Sequence, residues 1–191
     1  MAITDYDVIK EIGRGGMGAV YLALDPRLER NVAIKKIKVP DNLDEQTHKE
    51  MIQRFYREAR AIANLSHPNI VIVHELGEDK STNQCFMVME FLEGKSLEKL
   101  QEEQRKLPLG LVMKIAIQAC DALNFIHQKD ILHRDIKPAN LIYCTNGMLK
   151  ITDFGLVRTN DNLNLTKAGS IMGSVLFMPL EQIENPKNVD F

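Results

Sequence analysis

The sequence predicts an α+β protein in two lobes: five antiparallel strands with one helix, followed by a mainly helical second lobe. Three observations lead there. Residues 6–39 alternate β-branched or aromatic runs with turns, which reads as strand. Residues 44–65 and 109–128 instead repeat apolar side chains at three- and four-residue steps, which reads as helix. Between the groups, Glu90-Phe91-Leu92-Glu93-Gly94 shifts composition and ends on glycine. The boundaries expected from this are 1–90 for the first lobe, 91–94 for a hinge and 95–191 for the second.

Composition narrows the function classes. At 191 residues the chain suits one domain or two small lobes sharing a cleft. Hydrophobic residues at 45% and charged residues at 26% are ordinary for a globular protein. A net charge of −2 gives no electrostatic case for nucleic acid or a membrane surface as partner. Cys85, Cys120 and Cys144 are scattered and not at metal-ligand spacing, so a reducing, cytoplasmic setting is expected. The first twelve residues include Asp5, Asp7, Lys10 and Glu11, which is unlike a signal peptide. No window reaches roughly 18 uninterrupted apolar residues, so no membrane span is expected.

Taken in order, Val8, Ile9 and Ile12 lead a first strand into Gly13-Arg14-Gly15-Gly16-Met17-Gly18. Glycines at 13, 15 and 18 let backbone approach a phosphate without a Cβ in the way. The same spacing occurs in dinucleotide-binding folds, but there it opens a helix. Here Val20-Tyr21-Leu22 follows and reads as strand. A third strand, 31–39, carries Val32-Ala33-Ile34 and then Lys35, by itself a solvated strand-end charge. The helix at 44–65 has Met51, Phe55, Ala59, Ile62 and Leu65 in its stripe. Glu58 falls on the same face and wants a cation, for which Lys35 is the candidate; Glu45 and Glu50 are less well placed. Ser66-His67-Pro68-Asn69 breaks the helix, with His67 read as structural. Strands are expected at 70–76 and 85–89.

The second lobe opens with a short charged helix at 96–106. The 109–128 helix follows, with a stripe of Val112, Ile115, Ala116, Ala119, Leu123 and Ile126. Then comes His133-Arg134-Asp135-Ile136-Lys137-Pro138-Ala139-Asn140, with an acid, two cations, an imidazole and an amide in eight residues. That is more polar chemistry than a helix-to-strand connection requires. Strands at 141–144 and 148–152 flank a turn at Asn146-Gly147, and Asp153-Phe154-Gly155 ends the pair.

Glycine turn, strand lysine, helix glutamate, His-Arg-Asp loop and Asp-Phe-Gly stand in the order found in protein kinases. From residue 6 to 181 the chain resembles the protein kinase family. Lys137, two after Asp135, resembles the serine/threonine type, and the general look is of its bacterial members. The resemblance implies ATP and Mg2+ as cofactors and Ser/Thr hydroxyls of proteins as acceptors. It implies that Gly13, Gly15, Gly18 and Lys35 meet the phosphates, with Glu58 pairing Lys35. Ile12, Val20, Ala33 and Ile142 would form an adenine slot backed by Met89, and backbone groups of Glu90 and Leu92 would bond the adenine edge. Asp135 would accept the hydroxyl proton, Lys137 would stabilise the moving phosphoryl group, and Asn140 and Asp153 would hold metal.

Arg134 implies regulation by a phosphorylated residue in 159–174, with Thr166 and Ser170 as candidates; an unmodified loop is the alternative. Ser174 would bridge Asp135 and Lys137. Two departures stand out. Met178-Pro179-Leu180-Glu181 replaces the usual Ala-Pro-Glu, and the sequence stops at Phe191 where the family continues with further helices. A C-terminally truncated catalytic domain with an incomplete second lobe is therefore expected. The alternative function is a nucleotide-binding or regulatory module with little or no transferase activity.

Overall fold

The computed structural model describes residues 3–15, 18–37, 44–79, 84–154 and 176–184. Their contacts divide the chain into two units, Met1–Leu65 with Val71–Leu92 and Ser66–Ile70 with Glu93–Phe191.

In the first unit, β1 (Asp7–Gly15), β2 (Gly18–Asp25), β3 (Arg30–Ile37), β4 (Val73–Asp79) and β5 (Gln84–Glu90) form one sheet. Its order is β1-β2-β3-β5-β4, antiparallel at every pairing. Because side chains alternate along a strand, β3 sends Val32 and Ile34 to one face and Ala33 and Lys35 to the other. The first face is the core, where Val32, Ile34, Phe86 and Val88 close with Ile3 and Tyr6. Helix α1 (Glu45–Ala63) starts at Asp44, whose carboxylate accepts the Thr47 amide at 2.9 Å, the expected N-cap bond. Its stripe is buried at Phe55, Ala59 and Ile62.

Tyr6 fastens the N-terminal turn to β4 by donating its hydroxyl to Glu75 Oε2 at 2.7 Å. Burial, then the Glu75 carboxylate, pushes its pKa up to about 12; burial and neighbouring Cys85 push Tyr56 up to about 12 as well. The folded chain thus holds these protons more tightly than the unfolded chain, whose tyrosines titrate near about 10. This stabilisation is complete below that pH and is lost as pH climbs toward 12. The urea midpoint is expected to fall across that window. In a Tyr6→Phe, Tyr56→Phe double variant the fall should be shallower.

In the second unit, β6 (Gly94–Ser96), β7 (Leu141–Cys144) and β8 (Leu149–Ile151) form a sheet of that order. Against it lie α2 (Leu97–Glu103) and α3 (Leu109–His127), and the same unit contains α4 (Leu180–Glu184). Gly94 lies so close to β7 that a Cβ would stand 2.4 Å from the Tyr143 carbonyl oxygen and 2.8 Å from Cys144 Cα. Both are backbone atoms and cannot swing aside. Gly94→Ala is expected to cost about 1–3 kcal/mol, read from a chemical unfolding curve.

Several expectations change. The fourth strand begins at Val73, not 70, because Ile70 makes a parallel bridge to Ile151. Segment 66–70 therefore groups with the second unit, the rest of which begins at Glu93. The hinge glycine, Gly94, starts β6. The charged helix shortens to 97–103, with Ser96 as its cap. On α3 the buried residues are Ile115, Ala122 and Ile126; Val112 and Ala116 are exposed, so the inward face is rotated from the expected stripe. Helix α3 has the length and hydropathy to cross a membrane. Only 17% of that stretch is buried, and its Gln118 side chain accepts the Leu149 amide of β8.

Candidate active site

Sheet register assembles the first unit's contribution. Residues paired across antiparallel strands share a face, so Gly13, Val20, Lys35 and Met87 form one row. Ala33 and Met89 form the next row on that face, both buried. Lys35 is itself buried, at 6% exposed. A hydrogen bond between Tyr56 and Cys85 brings α1 to this same face, since Cys85 alternates with Met87. Glu58, two residues on from Tyr56, is half-buried, whereas Glu45 pairs with Lys49 and Glu50 with Gln46 on the surface.

The glycine turn joins β1 to β2 with Gly15 opposite Gly18; residues 16 and 17 lie outside the described residues. Gly18 needs glycine for its φ of 135°. Gly13 and Gly15 do not: a Cβ at Gly13 would meet nothing nearer than 4.0 Å, and at Gly15 nothing within that distance. Among the described residues nothing therefore calls for their bareness. It suits a ligand that must come close to the backbone. Ile12 is 37% exposed and Val20 half-buried. At the end of β5, the Glu90 amide donates to the Ile72 carbonyl at 3.0 Å, so that amide is taken up within the first unit.

The second unit contributes the polar loop. Arg134 sits at φ 62°, a left-handed conformation that turns the chain sharply between His133 and Asp135. Two hydrogen bonds hold the turn. The Asp135 amide donates to His133 Nδ1 at 3.3 Å, so the ring proton lies on Nε2, which donates to the Thr152 carbonyl at 2.9 Å. The ring also packs on buried Phe154, with centroids 4.5 Å apart. His133 thus ties the loop to the segment carrying Asp153, a role that its sequence position alone did not reveal.

Asp135 is 7% exposed, and Lys137 Nζ stands 3.0 Å from its Oδ2. Asn140, also buried, donates Nδ2 to the Asp135 carbonyl at 2.8 Å and to Oδ2 at 3.0 Å. Pro138 opens the 3-10 turn Pro138–Asn140, which brings Asn140 back over Asp135. The Asn140 carbonyl then accepts the Thr152 amide at 2.9 Å, so Asp153 follows one residue after a fixed point. Asp153 itself adopts a φ of 55°.

This donor set fits a hard divalent cation. With both Nδ2 hydrogens of Asn140 directed at Asp135, its Oδ1 faces elsewhere, and an amide oxygen with the Asp153 carboxylate is the all-oxygen chemistry such ions take. Among the described residues there is no cluster of three His, Cys, Asp or Glu side chains, so any cation would complete its shell with water or ligand oxygens. Ile142 lies half-buried on β7. Arg134 is exposed, and its carbonyl accepts Gln182 Nε2 at 3.1 Å. Thr166, Ser170, Ser174 and Gly155 lie outside the described residues.

The sequence profile of the protein kinase domain family matches residues 6–190. A probable serine/threonine-protein kinase of Clostridium perfringens is 38% identical over 178 residues, which is 93% of this chain and 25% of that protein. The serine/threonine-protein kinase PrkC of Bacillus subtilis is 38% identical over 93% of the chain and 26% of its own length. For PknA of Mycobacterium tuberculosis the figures are 36%, 93% and 41%. The chain thus spans about a quarter to two-fifths of the length of these curated relatives. Among solved structures, the apo form of PpkA-294 superposes with a TM-score of 0.75 at 28% identity, covering 90% of this chain and 66% of that one. The Mycobacterium tuberculosis PknI kinase domain gives 0.66 at 30% identity, covering 82% and 60%.

Proposed function

Since this chain belongs to the protein kinase domain family, we propose that it transfers the terminal phosphoryl group of ATP to serine and threonine hydroxyls of protein substrates. One observation carries the reading: a buried carboxylate, Asp135, held between a lysine ammonium and an asparagine amide. A surface loop has no physical need for that arrangement, whereas phosphoryl transfer needs each part of it.

The roles follow from the chemistry. Asp135 is the carboxylate assigned to the acceptor hydroxyl, with its Oδ2 held by Lys137 and Asn140. As the hydroxyl oxygen bonds to the γ-phosphorus, its proton passes to Asp135. The bond from that phosphorus to the β,γ-bridging oxygen breaks, and its electron pair leaves with ADP. Lys137 offsets charge on the moving group, and Lys35 and the glycine-turn amides take the remaining phosphates. Asn140 Oδ1 and Asp153 would hold magnesium, which when bound neutralises phosphate charge. Glu58 would orient Lys35, a pairing favoured by the shared face of α1 and β3. By the family resemblance, Ile12, Val20, Ala33, Met89 and Ile142 would form the adenine slot, with backbone groups of Glu90 and Leu92 at its edge. Arg134 would pair with phosphorylated Thr166 or Ser170, and Ser174 would bridge Asp135 and Lys137. The free thiols of Cys85, Cys120 and Cys144 support a reducing cytoplasmic compartment.

The test is incubation with ATP, magnesium and a generic basic protein, followed by acid hydrolysis. Phosphoserine and phosphothreonine are expected. Phosphotyrosine alone, or no phosphoamino acid at all, would overturn the proposal. In the second case, a magnesium-dependent thermal shift with ATP would point instead to the regulatory-module reading.

A further inference from the structure

Gln118 is a polar side chain in the middle of α3, and three hydrogen bonds leave it toward one place. Its Oε1 accepts the Leu149 amide at 2.9 Å and Asn69 Nδ2 at 2.7 Å, while Nε2 donates to the Gly147 carbonyl at 3.4 Å. Asn69, 3% exposed, sends Nδ2 also to the Leu149 carbonyl at 2.8 Å, and its own carbonyl accepts the Ile151 amide at 2.8 Å.

The position of β8 explains the need. It is the last strand of the β6-β7-β8 sheet, three residues long, with β7 on one side only. On the side of Leu149 and Ile151 away from β7 there is no further named strand, only the isolated bridge between Ile70 and Ile151, and both residues are almost fully buried. A buried edge left unsatisfied would be costly. Asn69 and Gln118 supply what a fourth strand would. From Ile151 the chain runs through Thr152, fixed by Asn140 and His133, directly to Asp153.

We propose that Gln118, acting with Asn69 as a substitute strand on the open edge of β8, is a positioning residue that sets where Asp153 presents its carboxylate to the metal. This rests on the reading of Asp153 as a metal ligand. Gln118 touches neither metal nor nucleotide; it acts through Leu149 and the strand.

Gln118→Met keeps the length of the side chain and removes all three bonds. Gln118→Glu keeps both bonds accepted by Oε1. Binding of a fluorescent ATP analogue, titrated with magnesium, should need a several-fold higher metal concentration for half-saturation in the Met variant. Affinity without metal should be unchanged, and the Glu variant should respond like wild type. Amide hydrogen exchange gives a second readout that needs no nucleotide. In Gln118→Met, exchange at Leu149, Ile151 and Thr152 should all quicken by about tenfold, the effect of losing one hydrogen bond's stability. An unchanged magnesium requirement, or quickening confined to Leu149, overturns the proposal. If wild type binds nucleotide without regard to magnesium, the metal reading fails on its own, and the exchange pattern still decides whether Gln118 holds the strand. Should Gln118→Met not fold, wild-type exchange decides: Leu149, Ile151 and Thr152 must be protected as one unit, and an unprotected Leu149 contradicts the clamp.

Discussion

Asp135→Asn is expected to lower the rate of phosphoryl transfer by about 10²–10⁴-fold, the range that a positioned acid or base supplies. The change alters few atoms. Asparagine fits the same buried space, and an amide oxygen can still accept one of the bonds from Lys137 and Asn140. What it lacks is a second basic oxygen to receive the hydroxyl proton, and the negative charge that draws Lys137 Nζ to 3.0 Å. The loss should therefore appear in the catalytic rate and leave nucleotide binding nearly intact. Initial rates of label transfer, measured beside ATP affinity for the same preparation, separate the two. A variant that transfers at the wild-type rate would show that Asp135 is a structural acid.

Phe86→Ala should produce the largest loss of stability in the first unit, about 3–5 kcal/mol. Phe86 is fully buried in the core cluster with Ile34 and Val88, and its ring lies over Gly77 on the neighbouring strand. A Cβ at Gly77 would stand 2.3 Å from Phe86 Cζ, so the glycine is what admits the ring. Truncation leaves a cavity against rigid backbone that the sheet cannot close. For a domain with about 5–15 kcal/mol in total, that is a large share. Chemical unfolding followed by circular dichroism measures it, and a loss below about 1 kcal/mol would mean that the core relaxes around the gap.

Local signals were the legible part of the chain. The stripe of Phe55, Ala59 and Ile62 placed α1 within two residues, because burial of a helix face acts through neighbours along one helix. The polar loop was legible for the same reason: its acid, lysine and asparagine lie within six residues, and Pro138 dictates the turn that joins them. Long-range pairing was not. The run Ile70-Val71-Ile72-Val73 reads as one strand, yet Ile70 is claimed by Ile151, 81 positions on. His133 gains its task from the Thr152 carbonyl, and Gln118 from the edge of β8, neither of which leaves a mark near it in sequence. A glutamine among apolar helix residues was the one available sign. Ala122 escaped notice because it lies off the expected stripe, one position before Leu123, while Val112 within that stripe remains exposed. The bond from the Glu90 amide to the Ile72 carbonyl was equally illegible, since which backbone groups a sheet edge consumes depends on register.

The central claim is that this chain moves a phosphoryl group from ATP to a protein hydroxyl. Following ATP labelled at the γ-phosphorus tests it most directly, by partitioning the label among ATP, inorganic phosphate and protein as ADP forms. The account predicts label on serine and threonine in step with ADP, dependent on magnesium and lost in Asp135→Asn. ADP formed with all of its label in inorganic phosphate, or no ADP formed at all, would contradict it.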